Sequence, residues 1–457
     1  MKKSWILIMA ALLSLGTMGC GTDTAPKPDG TKPQQESVTE AKETSSGSSG
    51  TTQESNPLKG KTLTLMMSMS ESNSTEAYNA QIAAFEAKYE CKVDVEAIPG
   101  GDEGENLKLV RLATNSLSDV YMCSVGSKLD ELDPVNNCMD ISKEPWSGRI
   151  SDGYREVASY EGGIYATPAD TSNAAGVLYN TKVFEDLNLS IPRTWDEFLA
   201  CCEAIRQAGL IPVAAPYAKV TNSQIPFLMN YYYVTQENPD FALQYTNREI
   251  DLNQSEAFLR GLQKMYDMSE YLNEDFLSTG MDECAVMLGE GSAAMMVIRT
   301  NILVTMEANC PEYIDDMGFF PLPDLDPDSR GVSYWLPMGY VINKNAKEPE
   351  LAKAWCEFVV SQEGVDAFCS AVNPTGTFCL KDVNLSGVEM CPALVEAQKW
   401  VSTSSSPVME YYCRIKGSNQ ATICSMCASG EITPEDACQQ IMDDNVVDAQ
   451  QKGFPGW

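Results

Sequence analysis

The body of the chain alternates between two hydrophobic periods. Lys61–Met67 (KTLTLMM) reads as a short apolar-rich strand. From 74 to 89, Tyr78, Ile82, Phe85 and Tyr89 fall at helical spacing. Cys91–Ile98 (CKVDVEAI) alternates as a strand, and Leu107, Val110, Leu112 and Ala113 mark a second helix. Asp119–Cys123 is a strand again. Strand–helix–strand–helix–strand predicts a parallel sheet covered by helices on both faces, an α/β fold. Later segments keep the style. Thr194-Trp-Asp-Glu197 is a capping box that opens a helix lined by Phe198, Cys202 and Ile205. Pro349 begins a helix whose stripe is Leu351, Ala354, Trp355, Phe358 and Val359. Thr433-Pro434-Glu435-Asp436 sets a cap, a first-turn proline and two acids at a helix start. No repeat period is visible.

The N-terminus breaks this pattern. Lys2 and Lys3 precede the apolar run Trp5–Leu15, which has signal-peptide length and is too short to span a bilayer as a mature helix. Gly19-Cys20 then resembles a bacterial lipoprotein cleavage site, with Thr17 where such sites usually carry Leu. That resemblance implies that residues 1–19 are removed and that Cys20 is lipidated. One cysteine bearing two acyl chains anchors a protein stably. Residues 21–56 have no apolar periodicity and are rich in Ser, Thr, Gly, Pro, Lys and Glu, so 20–56 is the lipidated Cys and a disordered tether. A coil of that length spans about 33 Å.

Composition narrows the function. The chain has 457 residues, 44% hydrophobic and 21% charged, which is globular composition. Its 64 acids against 32 bases give a net charge of -32, which repels phosphate backbones and argues against nucleic-acid binding. It has no histidine, which removes every mechanism built on imidazole. Of 16 cysteines, the 15 beyond Cys20 are an odd number scattered through helix and strand interiors. They read as buried small apolar side chains with a few bridges. Cys424-Ser-Met-Cys427 is a lone CxxC without a second pair or a histidine, and the acidic run Asp324–Asp328 lacks an EF-hand's glycine and ligand spacing. Neither a metal nor a cofactor is expected.

Several segments, in order, look like one known family. They are Ser118-Asp-Val-Tyr121, Gly163-Ile-Tyr-Ala-Thr-Pro168, Gly176-Val-Leu-Tyr-Asn180 and Lys182-Val-Phe184, then Pro192-Arg-Thr-Trp-Asp-Glu-Phe198. Leu288-Gly-Glu-Gly-Ser-Ala-Ala-Met-Met296, Gly318-Phe-Phe-Pro-Leu-Pro323, Ala354-Trp-Cys-Glu-Phe358 and Gly430–Ala437 follow. Together they resemble the carbohydrate-type extracellular solute-binding proteins of ABC importers, the maltose-binding-protein-like group. The resemblance implies a two-lobe periplasmic-binding-protein fold with a hinge and an interlobe cleft. It places residues 57–167 plus 297–335 in the first lobe and 168–296 plus 336–457 in the second. The chain would cross between lobes near Thr167, Met296 and Leu336. It implies a monomeric binder and not an enzyme. Such a protein sits on the extracellular face of the cell membrane through its lipid anchor and passes a small solute, a carbohydrate, to permease subunits.

Sugars need aromatic platforms and polar partners in a largely pre-formed site. On the resemblance, Trp335 is the first candidate platform, with Tyr334 beside it. Asp170, beyond Thr167-Pro168, is a candidate acceptor for sugar hydroxyls. Arg299 and Asn301 follow the AAMM strand, where family members often carry a stacking Trp. This chain has Ile298-Arg-Thr-Asn-Ile302 there, which weakens carry-over of a neutral-oligosaccharide site. Ser70 and Glu71, after the first strand, and Ser124, after the Asp119 strand, belong at the cleft mouth. Tyr217 and Tyr232, within its aromatic run, are further candidates. Two alternatives stay open: the same fold binding a sugar acid, polyamine or peptide, and a glycosidase using two of the many carboxylates.

Overall fold

The computed structural model describes residues 56–68 and 75–457. In chain order its strands are β1 (Thr62–Ser68), β2 (Lys92–Ile98), β3 (Val120–Cys123), β4 (Ser159–Tyr160), β5 (Gly163–Ile164), β6 (Thr167–Pro168) and β7 (Asn173–Asn180). They continue with β8 (Ile211–Val213), β9 (Ala293–Arg299), β10 (Met317–Phe320), β11 (Val332–Trp335), β12 (Gly339–Ile342) and β13 (Ser405–Pro407). Of the signal and tether expected at residues 1–56, residues 1–55, with Cys20, lie outside the described residues, as do Ser70 and Glu71.

Two sheets form, each with its own core. The first has the order β2-β1-β3-β12-β6. β1 runs parallel to β2 and to β3, with Leu65 opposite Val120, and β12 runs antiparallel to β3. The expected strand–helix–strand start is therefore observed, with helices Thr75–Tyr89 and Gly101–Ala113 as the crossovers. Phe85 meets Trp355 edge-on at 5.1 Å and Trp355 meets Tyr340 at 5.5 Å, which locks the sheet to helix Pro349–Val359. Asp119, 3% exposed, ties this lobe together. Its carboxylate accepts from the Thr64 amide at 3.0 Å, the Thr64 hydroxyl at 2.7 Å and the Lys347 amide at 2.6 Å.

The second sheet has the order β13-β11-β7-β9-β8, with β10 also paired to β7. β7 is antiparallel to β9, β10 and β11. β8 runs parallel to β9, and β13 runs parallel to β11. Hence β8, β9, β11 and β13 all end at the sheet edge where β7 begins. Helix Trp195–Gln207 packs Phe198, Cys202 and Ile205 into this core, as its spacing implied. Its cap forms as expected: the Thr194 hydroxyl accepts from the Glu197 amide at 3.3 Å.

The strand pairings divide the chain differently from the expected boundaries. β9 and β11 belong to the second sheet and β12 to the first. Residues 297–335 thus side with the second lobe. Residues 336 to about 385, from Leu336 through Leu385, pack on the first-lobe core. Met296 is no crossing; it is fully buried within β9, opposite Leu178 of β7. A run as uniformly apolar as Ala293–Ile298 needs cover on both faces, which a hinge strand lacks. The crossings fall at 169–172, at 336–338 and between Leu385 and Met390.

All fifteen described cysteines are free, and all but Cys369 and Cys391 are buried. The few bridges expected are not formed among the described residues. Burial pushes the Cys356 and Cys438 thiols up to about 12, so these side chains act as small apolar packing. Asp324, from the acidic run, is likewise structural. It sits 2.9 Å from the nearly buried Lys264 ammonium and 3.1 Å from Arg260. Lys264 also donates to Asn230 at 2.7 Å and lies 4.7 Å over the Tyr233 ring. Burial pulls the Lys264 pKa down to about 8, against the opposing pull of Asp324, whose own value is lowered below the usual carboxylate range by Lys264 and Arg260 despite burial. Removing one partner of such a pair strands a buried charge. Asp324→Ala is therefore expected to cost about 3–5 kcal/mol in denaturant unfolding; a loss under ~1 kcal/mol contradicts this account of the second lobe.

Candidate functional site

The cleft follows from the strand directions. β1 and β3 of the first sheet end toward the crossings, where β12 begins with Gly339 opposite Cys123. In open α/β sheets the crevice beyond the carboxyl ends of strands is the general ligand position. Here two such edges face the same hinge. Both are reached by the segments 169–172 and 336–338.

The hinge backbone is closely knit. Thr171 bridges Phe378, and the Ser172 amide donates to the Thr377 carbonyl at 2.9 Å. The Thr375 hydroxyl donates to Asn173 Oδ1 at 3.0 Å. Gly376 is required by this approach, because a Cβ there would stand 1.3 Å from the Ser172 carbonyl oxygen. Tyr411, just beyond β13, donates its hydroxyl to the Leu336 carbonyl at 2.9 Å and so pins the middle crossing.

Trp335 and Arg299 come together at this edge. Trp335 pairs with Asn173 across β7, and Arg299 pairs with Ala175 on the other side. The guanidinium lies 5.4 Å from the Trp335 ring centre, a cation–π contact. Both side chains are half-buried. Trp335 packs on the second-lobe cores, whereas Tyr334, its neighbour, packs on the first-lobe core. Alternation along the strand separates them. Burial pushes the Tyr334 phenol up to about 12, and Tyr334 serves as interlobe packing.

Asp170 stands on the first crossing, held by the Tyr78 hydroxyl at 3.1 Å and the Thr171 amide at 2.6 Å. Asn301 directly precedes helix Ile302–Asn309 at the end of β9. Of these four, Trp335 and Arg299 are in contact, while Asp170 lies on the first crossing and Asn301 past the end of β9. Other candidates sit elsewhere. Ser124 spends its amide and hydroxyl on Glu105, at 3.2 and 2.9 Å, next to the buried Lys108. Tyr217 is buried edge-on to Phe276 at 5.8 Å. Tyr232 is buried behind β11, where its amide donates to the Ser333 hydroxyl at 2.9 Å.

The structure adds residues that the sequence reading passed over. Asn173 begins β7 at the hinge, and Thr300 is buried just past Arg299. Neither carries a ring or a charge to draw notice. Tyr411-Tyr412 was a usable signal, an aromatic pair after a Ser-rich run. Around it the lobes touch at the rim. The Ser127 hydroxyl donates to the Glu410 carbonyl at 2.8 Å, Arg414 pairs with Asp130 at 2.8 Å and Lys452 pairs with Glu131 at 3.4 Å. A separate cavity of about 30 Å³ lies inside the second lobe, lined by Phe227, Tyr231, Phe258 and Met409. It has room for a water and none for a sugar.

Comparison with known proteins fits this geometry. Residues 71–366 match the family described as bacterial extracellular solute-binding protein. The melibiose/raffinose/stachyose-binding protein MelE of Bacillus subtilis (strain 168) is 24% identical over 148 residues, 32% of this chain and 34% of that protein. The match thus spans about a third of that relative's length. A solved chitin oligosaccharide binding protein superposes with a TM-score of 0.71 at 16% identity, over 85% of this chain and 100% of its own. RafE in complex with raffinose gives 0.67 at 19% identity, over 86% and 100%. At such identities the likeness is one of fold: two lobes about a cleft.

Proposed function

The chain belongs to the bacterial extracellular solute-binding proteins, and from that premise we propose that it captures a sugar or oligosaccharide in the hinge cleft. The lobes close on the ligand, and the closed form delivers it to the membrane permease of an ABC importer. It works as a monomer that binds and releases without a chemical step. What supports this reading is that Trp335 ends β11 at the second crossing, Asp170 stands on the first crossing and Asn301 follows the end of β9. An indole face suits the apolar face of a sugar ring, and a carboxylate and an amide suit its hydroxyls. The ligands for which the relatives are named, raffinose, stachyose and chitin oligosaccharide among them, support the ligand class. The anchor proposed is the lipid on Cys20, supported by the sequence before it; mass spectrometry of the mature chain should find a diacylated Cys20 as its first residue, and an unmodified Cys20 would remove the anchor.

A ligand at 100 times its dissociation constant stabilises a fold by about 2.7 kcal/mol. A thermal-shift panel of neutral and charged oligosaccharides, on the full chain in detergent, should therefore give a clear hit. Trp335→Ala should weaken that hit by about 10-fold or more, the worth of a ring stacked on an aromatic. Silence across the saccharides, with a hit among peptides or polyamines, would contradict the reading.

A further inference from the structure

We propose that the saccharide this protein takes carries a carboxylate, and that Arg299 receives it. The inference rests on the sugar-binding reading above and names its substrate class. It starts from a cation without a counter-ion among the described residues. Arg299 ends β9 at the hinge, with its guanidinium over the Trp335 ring. Its Nε is buried and makes no hydrogen bond, and none of the ion pairs among the described residues includes it. The cations at the rim are paired, Arg414 with Asp130 and Lys452 with Glu131 and Asp448. Among the described residues no carboxylate pairs with this half-buried guanidinium, which in a chain of net charge -32 leaves it open to an anion from outside.

The next residue in the chain carries a second unspent donor among the described residues. Thr300 is fully buried and its Oγ1 has no hydrogen-bond partner. A buried polar atom left unsatisfied is costly, and a ligand that supplies an acceptor removes that cost. Helix Ile302–Asn309 starts directly afterwards, and its positive end favours negative charge past the end of β9.

The chemistry selects among anions. The Nε–H of an arginine and one of its terminal N–H groups form a planar fork that matches a carboxylate. The ring beside the fork is Trp335, a face for a pyranose. A uronic acid joins the two on one residue, its carboxylate attached directly to the sugar ring. A free anion leaves Trp335 unused, and a polyamine meets like charge at Arg299.

The test is calorimetry on the full chain in detergent. The ligands are the trisaccharides of galacturonate, glucuronate and mannuronate, the methyl ester of each, raffinose, and inorganic phosphate and sulfate. At least one uronate should bind about 10- to 100-fold tighter than its own ester, the span expected of a charge-assisted fork. Arg299→Gln should bring the acid-to-ester ratio near one. Arg299→Lys should lower the ratio while keeping the charge, and it decides the matter if the glutamine variant fails to melt cooperatively. Parity of acid and ester, raffinose tighter than every uronate, or a ratio unchanged in both variants overturns the inference and leaves the sugar-binding reading standing. Phosphate or sulfate as tight as the best uronate overturns the saccharide assignment. No binding of any saccharide sinks the sugar-binding reading, and this inference with it.

Discussion

The constraint that shapes this molecule is the chain's repeated passage between two cores that are packed separately. Each sheet buries its own apolar faces, the first around Trp355 and the second around β7 and β9. Backbone that leaves one core for the other must cross a gap where neither sheet can pair it fully. Its polar groups still need partners. The chain meets that need by knitting the crossings to each other: Thr171 to Phe378, Ser172 to Thr377, and Tyr411 to the Leu336 carbonyl. Once the crossings are fixed, the strand ends on both sides are fixed as well. Trp335 and Arg299 come into contact there, and Asp170 and Asn301 each lie within a few residues of a crossing or a strand end.

Rigidity is unevenly distributed, and that unevenness suits a protein that closes. Within the lobes the polar clamps are buried. Asp119 gathers β1, β3 and the start of helix Pro349–Val359, and Asp324 neutralises Lys264 and Arg260. Breaking such groups leaves charge in a low-dielectric interior. Between the lobes the ion pairs at the rim lie near the surface. Arg414–Asp130 and Lys452–Glu131 are partly exposed pairs of the kind worth about 0–1 kcal/mol each. A ligand in moderate excess contributes about 2.7 kcal/mol. On the proposed reading, the ligand shifts the balance between open and closed by its differential affinity for the two forms, and rim pairs this weak oppose it little.

Much of this was legible in the sequence, and the exceptions have physical causes. The first three strands and their helices stand within a residue or two of where periodicity set them, because amphipathic spacing reports burial directly. The helix after Thr194 and the helix at Pro349 carry their own start signals. Two crossings were expected near Thr167 and Leu336, and the strand pairings put them at 169–172 and 336–338. The third was not at Met296, which belongs to a strand buried on both faces. Which lobe a segment joins is decided by long-range pairing, and local pattern holds no record of it. The site was half legible. Tyr217 and Tyr232 read as candidates because they are aromatic, yet their rings fill the second lobe's interior. Ser124 stood at the right strand end, but Glu105 had already claimed its donors. Asn173 and Thr300 passed unnoticed because an amide or a hydroxyl matters only through what faces it.

The most direct test of the central claim is hydrogen–deuterium exchange on the full chain, with and without the saccharide that binds best. Capture in the hinge cleft predicts slower exchange in segments of both lobes at once: 169–173 and 336–340 at the crossings, 299–303 after β9, and 374–378 at the knit. Slowing confined to the second lobe around Phe227, Tyr231 and Met409, with the crossings unchanged, would contradict it.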